Sequence, residues 1–401
     1  MNGSVLFYVQ HLLGIGHLRR VLRIIPFLAE RGMAVTLVSG GEALADMDEA
    51  GAVRIVQLPP LRSPDASFKR LVDDSGRPVS DALWRARRAG LLAALAAARP
   101  DAILFETYPF GRSKFWPEID ALIAAARALH QEAPLIASVR DIVVVGDKPQ
   151  RRRDIVARVR GGIDAVLVHG DPAFIPLDAS FPEVAEIADK VIYTGYVGGS
   201  GEAMVAGGGS DGADEVLVSA GGGAVGGPLL RAALAACRAG CLADRQWRIL
   251  AGPNLPDPEF AAFAADLPER VVLERYRRDF PQMLQRCLLS ISQGGYNTTL
   301  DILAAGAPAV VVPFAGGDET EQALRIAALA ARGIVETLSE DALSPATLAA
   351  AIDRAVARPP GRIALDFGGG RRTAALVAAL SAAGAGGAAR VLAAQRRSGA
   401  R

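Results

Sequence analysis

Ser292-Gln293-Gly294-Gly295-Tyr296-Asn297-Thr298-Thr299-Leu300-Asp301 follows the apolar run Leu288-Leu289-Ser290-Ile291 and opens a stretch with helical spacing. A continuous apolar strand that breaks on glycines and passes into hydroxyl residues at a helix start is the βα joint of a parallel sheet covered on both faces. The joint recurs upstream, where Val216-Leu217-Val218 runs into Ser219-Ala220-Gly221-Gly222-Gly223-Ala224-Val225-Gly226-Gly227-Pro228. It recurs again near the amino end, where Val5-Leu6-Phe7-Tyr8-Val9 leads into Gln10-His11-Leu12-Leu13-Gly14-Ile15-Gly16-His17-Leu18-Arg19-Arg20.

Outward from these joints the rhythm is regular. In the first half, strands are expected at 5–9, 35–38, 53–58, 102–105, 135–139 and 165–168, with helices at 17–31 and near 117–130. In the second half, strands are expected at 216–218, 247–250, 271–273, 288–292 and 309–312, with helices at 228–238, from 298 and at 320–332. Between the halves lie Gly198-Gly199-Ser200-Gly201 and Gly207-Gly208-Gly209-Ser210, too poor in side chains to hold a packed core. The expected plan is therefore α/β, with two doubly wound Rossmann-like domains and a cleft between them. They take residues 1–196 and 215–370, joined by a linker at 197–214 and followed by an Ala-rich helical segment at 371–401. In such sheets the reactive crevice lies outside the carboxyl ends of the strands.

Composition narrows the chemistry. Lys+Arg 44 against Asp+Glu 43 leaves no basic excess for a phosphate backbone, so nucleic acid is not an expected partner. The three cysteines, Cys237, Cys241 and Cys287, form no C-x-x-C unit, which argues against a zinc knuckle or disulfide framework and for a reducing cytosol. The amino end lacks the basic region and clean apolar core of a signal peptide, because Gln10, His11 and His17 interrupt it. Stretch 376–394 is mostly Ala, Gly and Ser with Arg390 inside, which reads as too weakly apolar for a spanning helix. A soluble cytoplasmic protein is expected.

Each glycine loop admits a purely structural reading, in which its glycines serve strand-to-helix packing, beside a ligand-binding one. Around His17, glycines let a ligand approach the backbone, and the helix start disfavours imidazolium, so the ring stays neutral and able to accept a proton. His17 is the candidate base, with Glu106 or Asp141, each near a strand end, as its orienting partner; both carboxylates also read as solvated loop groups. Gly221, Gly223 and Gly226 satisfy G-x-G-x-x-G, but the next strand ends Ile249-Leu250-Ala251-Gly252 with no ribose-binding acid, which counts against NAD. Asp46-Met47-Asp48 has metal-site spacing yet falls in a helix-period stretch where its side chains splay apart, so no metal and no cofactor are expected. Arg151-Arg152-Arg153 reads first as a polar helix start; it and Arg19-Arg20 are also candidate contacts for anionic lipid or a phosphorylated acceptor, and hence for peripheral membrane contact.

The segment 292–322 resembles the donor-binding signature of GT-B glycosyltransferases, especially the C-terminal domain of family 28 and the plant UDP-sugar transferases. Their motif runs His-Cys-Gly-Trp-Asn-Ser-Thr-Leu-Glu; here Gln293 stands at the His, and Asp301 is one methylene shorter than the Glu. The resemblance implies that Gly295, Asn297 and Thr298 meet the donor diphosphate and Asp301 the uridine ribose. It implies further that Glu321 and Gln322 grip the donor sugar, with an extra residue around Gly316-Gly317-Asp318. Gly222, Gly223, Tyr276 and Gln293 complete the expected donor set, and His11, Gly14, Gly16 and Arg19 the acceptor-side loop. Loops 62–78 and 108–114 are expected to shape the acceptor pocket.

The implied activity is inverting, metal-independent transfer of a sugar from a UDP-sugar to an unidentified small-molecule, lipid-linked or glycan acceptor. The loop Gly14-Ile15-Gly16-His17-Leu18-Arg19-Arg20 is also similar to the Gly-x-Gly-His-x-x-Arg loop of the UDP-sugar hydrolase of pseudaminic acid synthesis, which uses its histidine on water. Hydrolysis of a nucleotide sugar is thus the alternative, with a catalytically silent nucleotide-sugar-binding protein behind it and an NAD-dependent dehydrogenase last.

Overall fold

The computed structural model describes residues 3–12, 14–43, 53–65, 68–129, 132–146, 148–198, 209–222, 225–314, 316, 320–358, 361 and 363–399. Asp46-Met47-Asp48, Gly223, Gly317-Asp318 and most of the expected linker lie outside the described residues.

The chain divides into two compact units, Met1–Val197 with Leu365–Arg401, and Gly198–Ala364. The first unit contains β1 (Ser4–Val9), α1 (Gly16–Glu30), β2 (Ala34–Ser39), β3 (Val53–Gln57), α2 (Asp81–Ala98), β4 (Ala102–Glu106), α3 (Trp116–Leu129), β5 (Leu135–Arg140), α4 (Pro149–Gly162), β6 (Ala165–His169) and β7 (Val191–Tyr193). Its strands run in the order β3-β2-β1-β4-β5-β6-β7, and the pairings are parallel. The period-two alternation of a strand divides β1 between two cores: Leu6 and Tyr8 pack with Leu91 and Leu95 of α2 and Ile119 and Leu122 of α3. Val5, Phe7 and Val9 pack with Leu18, Val21 and Ile25 of α1. Both faces are therefore apolar, which is why the strands read as unbroken runs.

The second unit contains β8 (Val216–Ser219), α5 (Gly227–Arg238), β9 (Trp247–Leu250), α6 (Asp257–Ala264), β10 (Val271–Glu274), α7 (Phe280–Leu284), β11 (Leu289–Ser292), α8 (Tyr296–Ala305), β12 (Ala309–Val311), α9 (Glu321–Ala330), β13 (Glu336–Thr337) and α10 (Pro345–Ala357). Its order β10-β9-β8-β11-β12-β13 reverses direction between β8 and β11, as the first sheet does between β1 and β4.

From the sequence, 371–401 reads as an Ala-rich helical segment with no domain assigned to it. The chain returns to the first unit as α11 (Gly369–Gly399), which packs on α1. By length and composition Gly369–Arg397 is long and apolar enough to cross a membrane, contrary to the sequence expectation. Here it is interrupted at Gly384 (φ 66, ψ 174), and it buries Leu376, Val377, Leu380 and Leu392 beside α1. Each such side chain is worth about 1.5–3 kcal/mol, enough to fix a terminal segment that has weak turn signals of its own.

Helix α2 had no counterpart in the sequence reading. Its Arg87 is fully buried and ion-paired with Glu118 at 2.8 Å, so a charge occupies the face that should read as apolar.

Candidate active site

In the first unit the loops after β1 and β4 diverge, because the strand order reverses there, and the side chains at these two ends meet. α1 begins at Gly16 with no side-chain cap, which puts His17 in its first turn. β4 ends on Glu106. His17 Nδ1 lies 2.9 Å from Glu106 Oε1, and Thr107 Oγ1 lies 3.0 Å from Nδ1 and 3.2 Å from Oε1. Thr107 holds φ 71, a left-handed conformation that costs a β-branched residue about 1–3 kcal/mol. Arg20, one turn along α1, donates to the same Oε1.

Burial would push the Glu106 carboxyl up, but the Arg20 guanidinium and the His17 N–H outweigh it and hold the group well below the usual carboxylate range. Burial foremost, then the Arg140 charge, depresses His17; Glu106 pulls the other way, Arg112 adds to the lowering, and the imidazole ends at about 3. It is therefore neutral at pH 7. From the sequence this neutrality was expected of the helix start; in the fold, desolvation and two guanidiniums bring it about. Nδ1 faces an ionised carboxylate at 2.9 Å and, at 3.4 Å, the Arg20 guanidinium, which can only donate; the shorter contact to the stronger partner assigns the single ring proton to Nδ1 and the lone pair to Nε2. Nε2 has no hydrogen-bond partner among the described residues, and the side chain keeps 14% of its surface exposed.

The remaining candidates read from the sequence fall around this pair unevenly. Asp141, the alternative partner for His17, accepts the Tyr196 hydroxyl at 3.0 Å and the Ile142 N–H at 3.0 Å, so the carboxylate on His17 is Glu106. His11 is buried, its ring against Gly41, and burial lowers its pKa. Gly14 is exposed, Gly16 is the first residue of α1, and Arg19 is half-buried. Arg20, offered as a surface contact for anionic lipid, has no exposed side chain and is committed to Glu106. Arg152 pairs with Glu183 at 3.2 Å and Arg153 donates to Gln150 at 3.0 Å. Of the two expected pocket loops, Lys114 donates to the carbonyls of Phe68 (3.0 Å) and Lys69, while the Arg112 guanidinium lies 5.1 Å from the Phe68 ring centre.

In the second unit the corresponding ends belong to β8 and β11. Gly295 is the N-cap of α8 and supplies no side chain to cover the first amides, so these remain for an anion. Two adjacent glycines here do different work. A Cβ on Gly294 would meet Ile326 Cγ1 at 2.8 Å, so α9 packs directly on that backbone, whereas a Cβ on Gly295 would find nothing within 4 Å. Asn297 and Thr298 are half-buried in the first turn of α8, and Asp301 is buried one turn on. Gln293 is buried and donates from Nε2 to Val225 O at 3.3 Å; the Gly222 carbonyl accepts from Asn254 Nδ2 at 2.6 Å.

Glu321 is buried at the start of α9, where Oε1 accepts from Arg325 Nη2 at 2.9 Å, and the same guanidinium lies 5.0 Å from the Tyr296 ring centre. Gln322 Oε1 accepts from the Phe314 N–H at 3.1 Å. Tyr276 is exposed beyond β10, the outer strand, two strands from the β8/β11 reversal. Among the described residues no cluster of three or more His, Cys, Asp or Glu could hold a metal ion.

Comparison with known proteins agrees with this geometry. Residues 217–363 match the glycosyltransferase family 28 C-terminal domain. The chain is similar to the calicheamicin glycosyltransferase CalG4 (18% identity, TM-score 0.59, 99% of this chain and 98% of that one). It is similar also to the glycosyltransferase VinC, solved in complex with dTDP (16% identity, TM-score 0.60, 97% and 99% covered). A third likeness is to MurG of Acinetobacter baumannii (15% identity, TM-score 0.51, 88% and 94% covered). The two parallel-sheet units thus have the GT-B architecture. Residues 217–363 thus carry a family 28-like C-terminal domain within a chain of GT-B fold.

Sequence reasoning did not find Thr107, Ser138 or His169 in the site. Ser138 and His169 sit in or at the end of otherwise apolar strands, a signal visible in the sequence, but only the strand order shows which group each would meet.

Proposed function

We propose that the chain transfers a sugar from a nucleoside diphosphate sugar, a UDP-sugar first, to a hydroxyl of a small-molecule, lipid-linked or glycan acceptor, by single displacement and without a metal, in the cytoplasm. His17 Nε2 takes the hydroxyl proton as the acceptor oxygen bonds to the anomeric carbon. The bond from that carbon to the phosphate oxygen breaks, and the nucleoside diphosphate leaves with the electron pair. Attack opposite the leaving group inverts the anomeric centre. The imidazolium formed is stabilised by Glu106, whose carboxylate already faces Nδ1. The leaving diphosphate is neutralised by the uncapped amides of α8 with Asn297 and Thr298, which removes the need for a cation.

The observation that carries this reading is the His17–Glu106 contact, with a neutral ring whose second nitrogen is unpartnered among the described residues. Support for the donor comes from the family 28 C-terminal match and from VinC, which was solved with dTDP.

The test has two arms. Thermal unfolding with UDP, dTDP, GDP and NAD should show a nucleotide-selective rise, worth about 2.7 kcal/mol at a hundredfold excess over Kd. That rise should vanish in Asp301→Ala. With the donor so identified, His17→Ala should lower turnover about 10²–10⁴-fold at unchanged nucleotide affinity. A fully active His17→Ala enzyme, or a rise with NAD alone, would sink the proposal. Nucleotide release that needs no acceptor would move the reading to hydrolysis.

A further inference from the structure

Behind the His17–Glu106 contact, a row of buried polar groups crosses the first sheet. Glu106 ends β4; Ser138 is its register partner on β5; His169 ends β6; Thr194 follows β7; and Thr373 reaches in from α11. Ser138 Oγ is 2.9 Å from Glu106 Oε2 and 2.9 Å from His169 Nε2, while His169 Nδ1 is 2.8 Å from Thr194 Oγ1 and 3.5 Å from Thr373 Oγ1. Glu106 is 3% exposed and the other four are 0% exposed.

A hydroxyl has one proton to give. At Ser138 it goes to the ionised carboxylate, the stronger acceptor, so the serine oxygen can only accept from His169. His169 Nε2 therefore carries the ring proton, and Nδ1 is left as an acceptor facing the hydroxyls of Thr194 and Thr373, the first of which also reaches the carbonyls of Val168 (3.3 Å) and Gly195 (3.1 Å). From His169 onward the donors point toward Glu106. The consequence falls on one carboxylate: Oε1 is shared by His17, Arg20 and Thr107, and Ser138 holds Oε2, which stops the group from rotating and exchanging its oxygens.

We infer that Ser138 and His169 are positioning residues for His17: His169 Nε2–H donates to Ser138, Ser138 donates to Glu106 Oε2, and the carboxylate so fixed holds His17 as the Nδ1–H tautomer with its lone pair on Nε2. The inference rests on the reading of His17 as the base. It makes α11 part of the support of that base, since Thr373 closes the far end of the row.

The experiment is a long-range ¹H–¹⁵N correlation spectrum at pH 7.5 of the full chain labelled at its four histidines, which reads tautomers without any substrate. Wild type should show His17 protonated at Nδ1 and His169 at Nε2. Ser138→Ala and His169→Leu should move His17 toward the Nε2–H form or a mixture. His169→Gln, whose amide can donate from the same place, should leave His17 unchanged. Reversed tautomers in the wild type would overturn the inference, as would an unaltered His17 in a folded Ser138→Ala and a folded His169→Leu. If those two variants do not fold, the wild-type tautomers decide. Failure of the base reading is separate: a fully active His17→Ala ends that reading while these tautomers stand.

Discussion

The carboxyl ends of β1 and β4 in the first unit and of β8 and β11 in the second are the same place in the topology, yet they hold different chemistry. At the first, ionisable groups are taken out of water and set against each other: Arg20 and Glu106 with no exposed side-chain surface, and His17 nearly so. At the second there are glycines, an amide, hydroxyls and an uncapped helix start, with Asp301 a turn into α8 and the Glu321–Arg325 pair at the start of α9. The fold supplies a place for a site twice over; the side chains make one copy suited to moving a proton and the other to holding an anion.

The largest expected effect breaks the comparison at its charged end. Glu106→Gln leaves Arg20 buried without its counter-ion and should cost about 3–5 kcal/mol of stability, read from denaturant midpoints, along with most of the turnover. Gln293→Leu, the analogous removal of a buried polar group in the second unit, should cost about 1 kcal/mol, the worth of its bond to Val225. Equal losses would mean that the two ends are not distinct in kind.

Neighbouring glycines sharpen the second half. Gly294→Ala forces a methyl onto Ile326 and should destabilise the fold by about 1–3 kcal/mol. Gly295→Ala, with open space around it and φ −60, should leave stability within about 0.5 kcal/mol while weakening nucleotide binding at least tenfold. A Gly295→Ala protein that binds nucleotide normally would remove that amide from the donor site.

A further difference is one of acid sensitivity. Unfolded histidines take up protons near pH 6.5, but His17 and His169 in the fold refuse them until about pH 3. The unfolded state thus binds more protons throughout that window, and stability drains away as pH falls from about 6.5 toward 3. Hydrogen exchange should show β4 to β6 losing protection in this range while β8 and β11 keep theirs; His169→Gln should flatten the slope for the first unit. Parallel loss in both sheets would refute the assignment to these histidines.

Much of the architecture was legible because parallel strands covered on both faces have no polar alternation to blur them. The stretches expected at 5–9, 102–105, 135–139 and 216–218 coincide with β1, β4, β5 and β8 to within a residue or so. Elements that broke the pattern were not legible: α2 carries a buried arginine on its inner face, and β7 and β13 have three and two residues, too short for any period to show.

The site divides in the same way. The glycine joints, the histidine at a helix start and the Asn297-Thr298-Asp301 spacing are local features, fixed by residues a turn or a loop apart, and the sequence alone determined them. That His17 meets Glu106 rather than Asp141, that Arg20 faces inward and that Ser138 and His169 stand behind the carboxylate were decided only by the tertiary structure. Those contacts join residues from 31 to 89 positions apart, and nothing local records which strand lies beside which. The order β1-β4-β5-β6 makes them neighbours, and burial then forces each polar group to find its partner there.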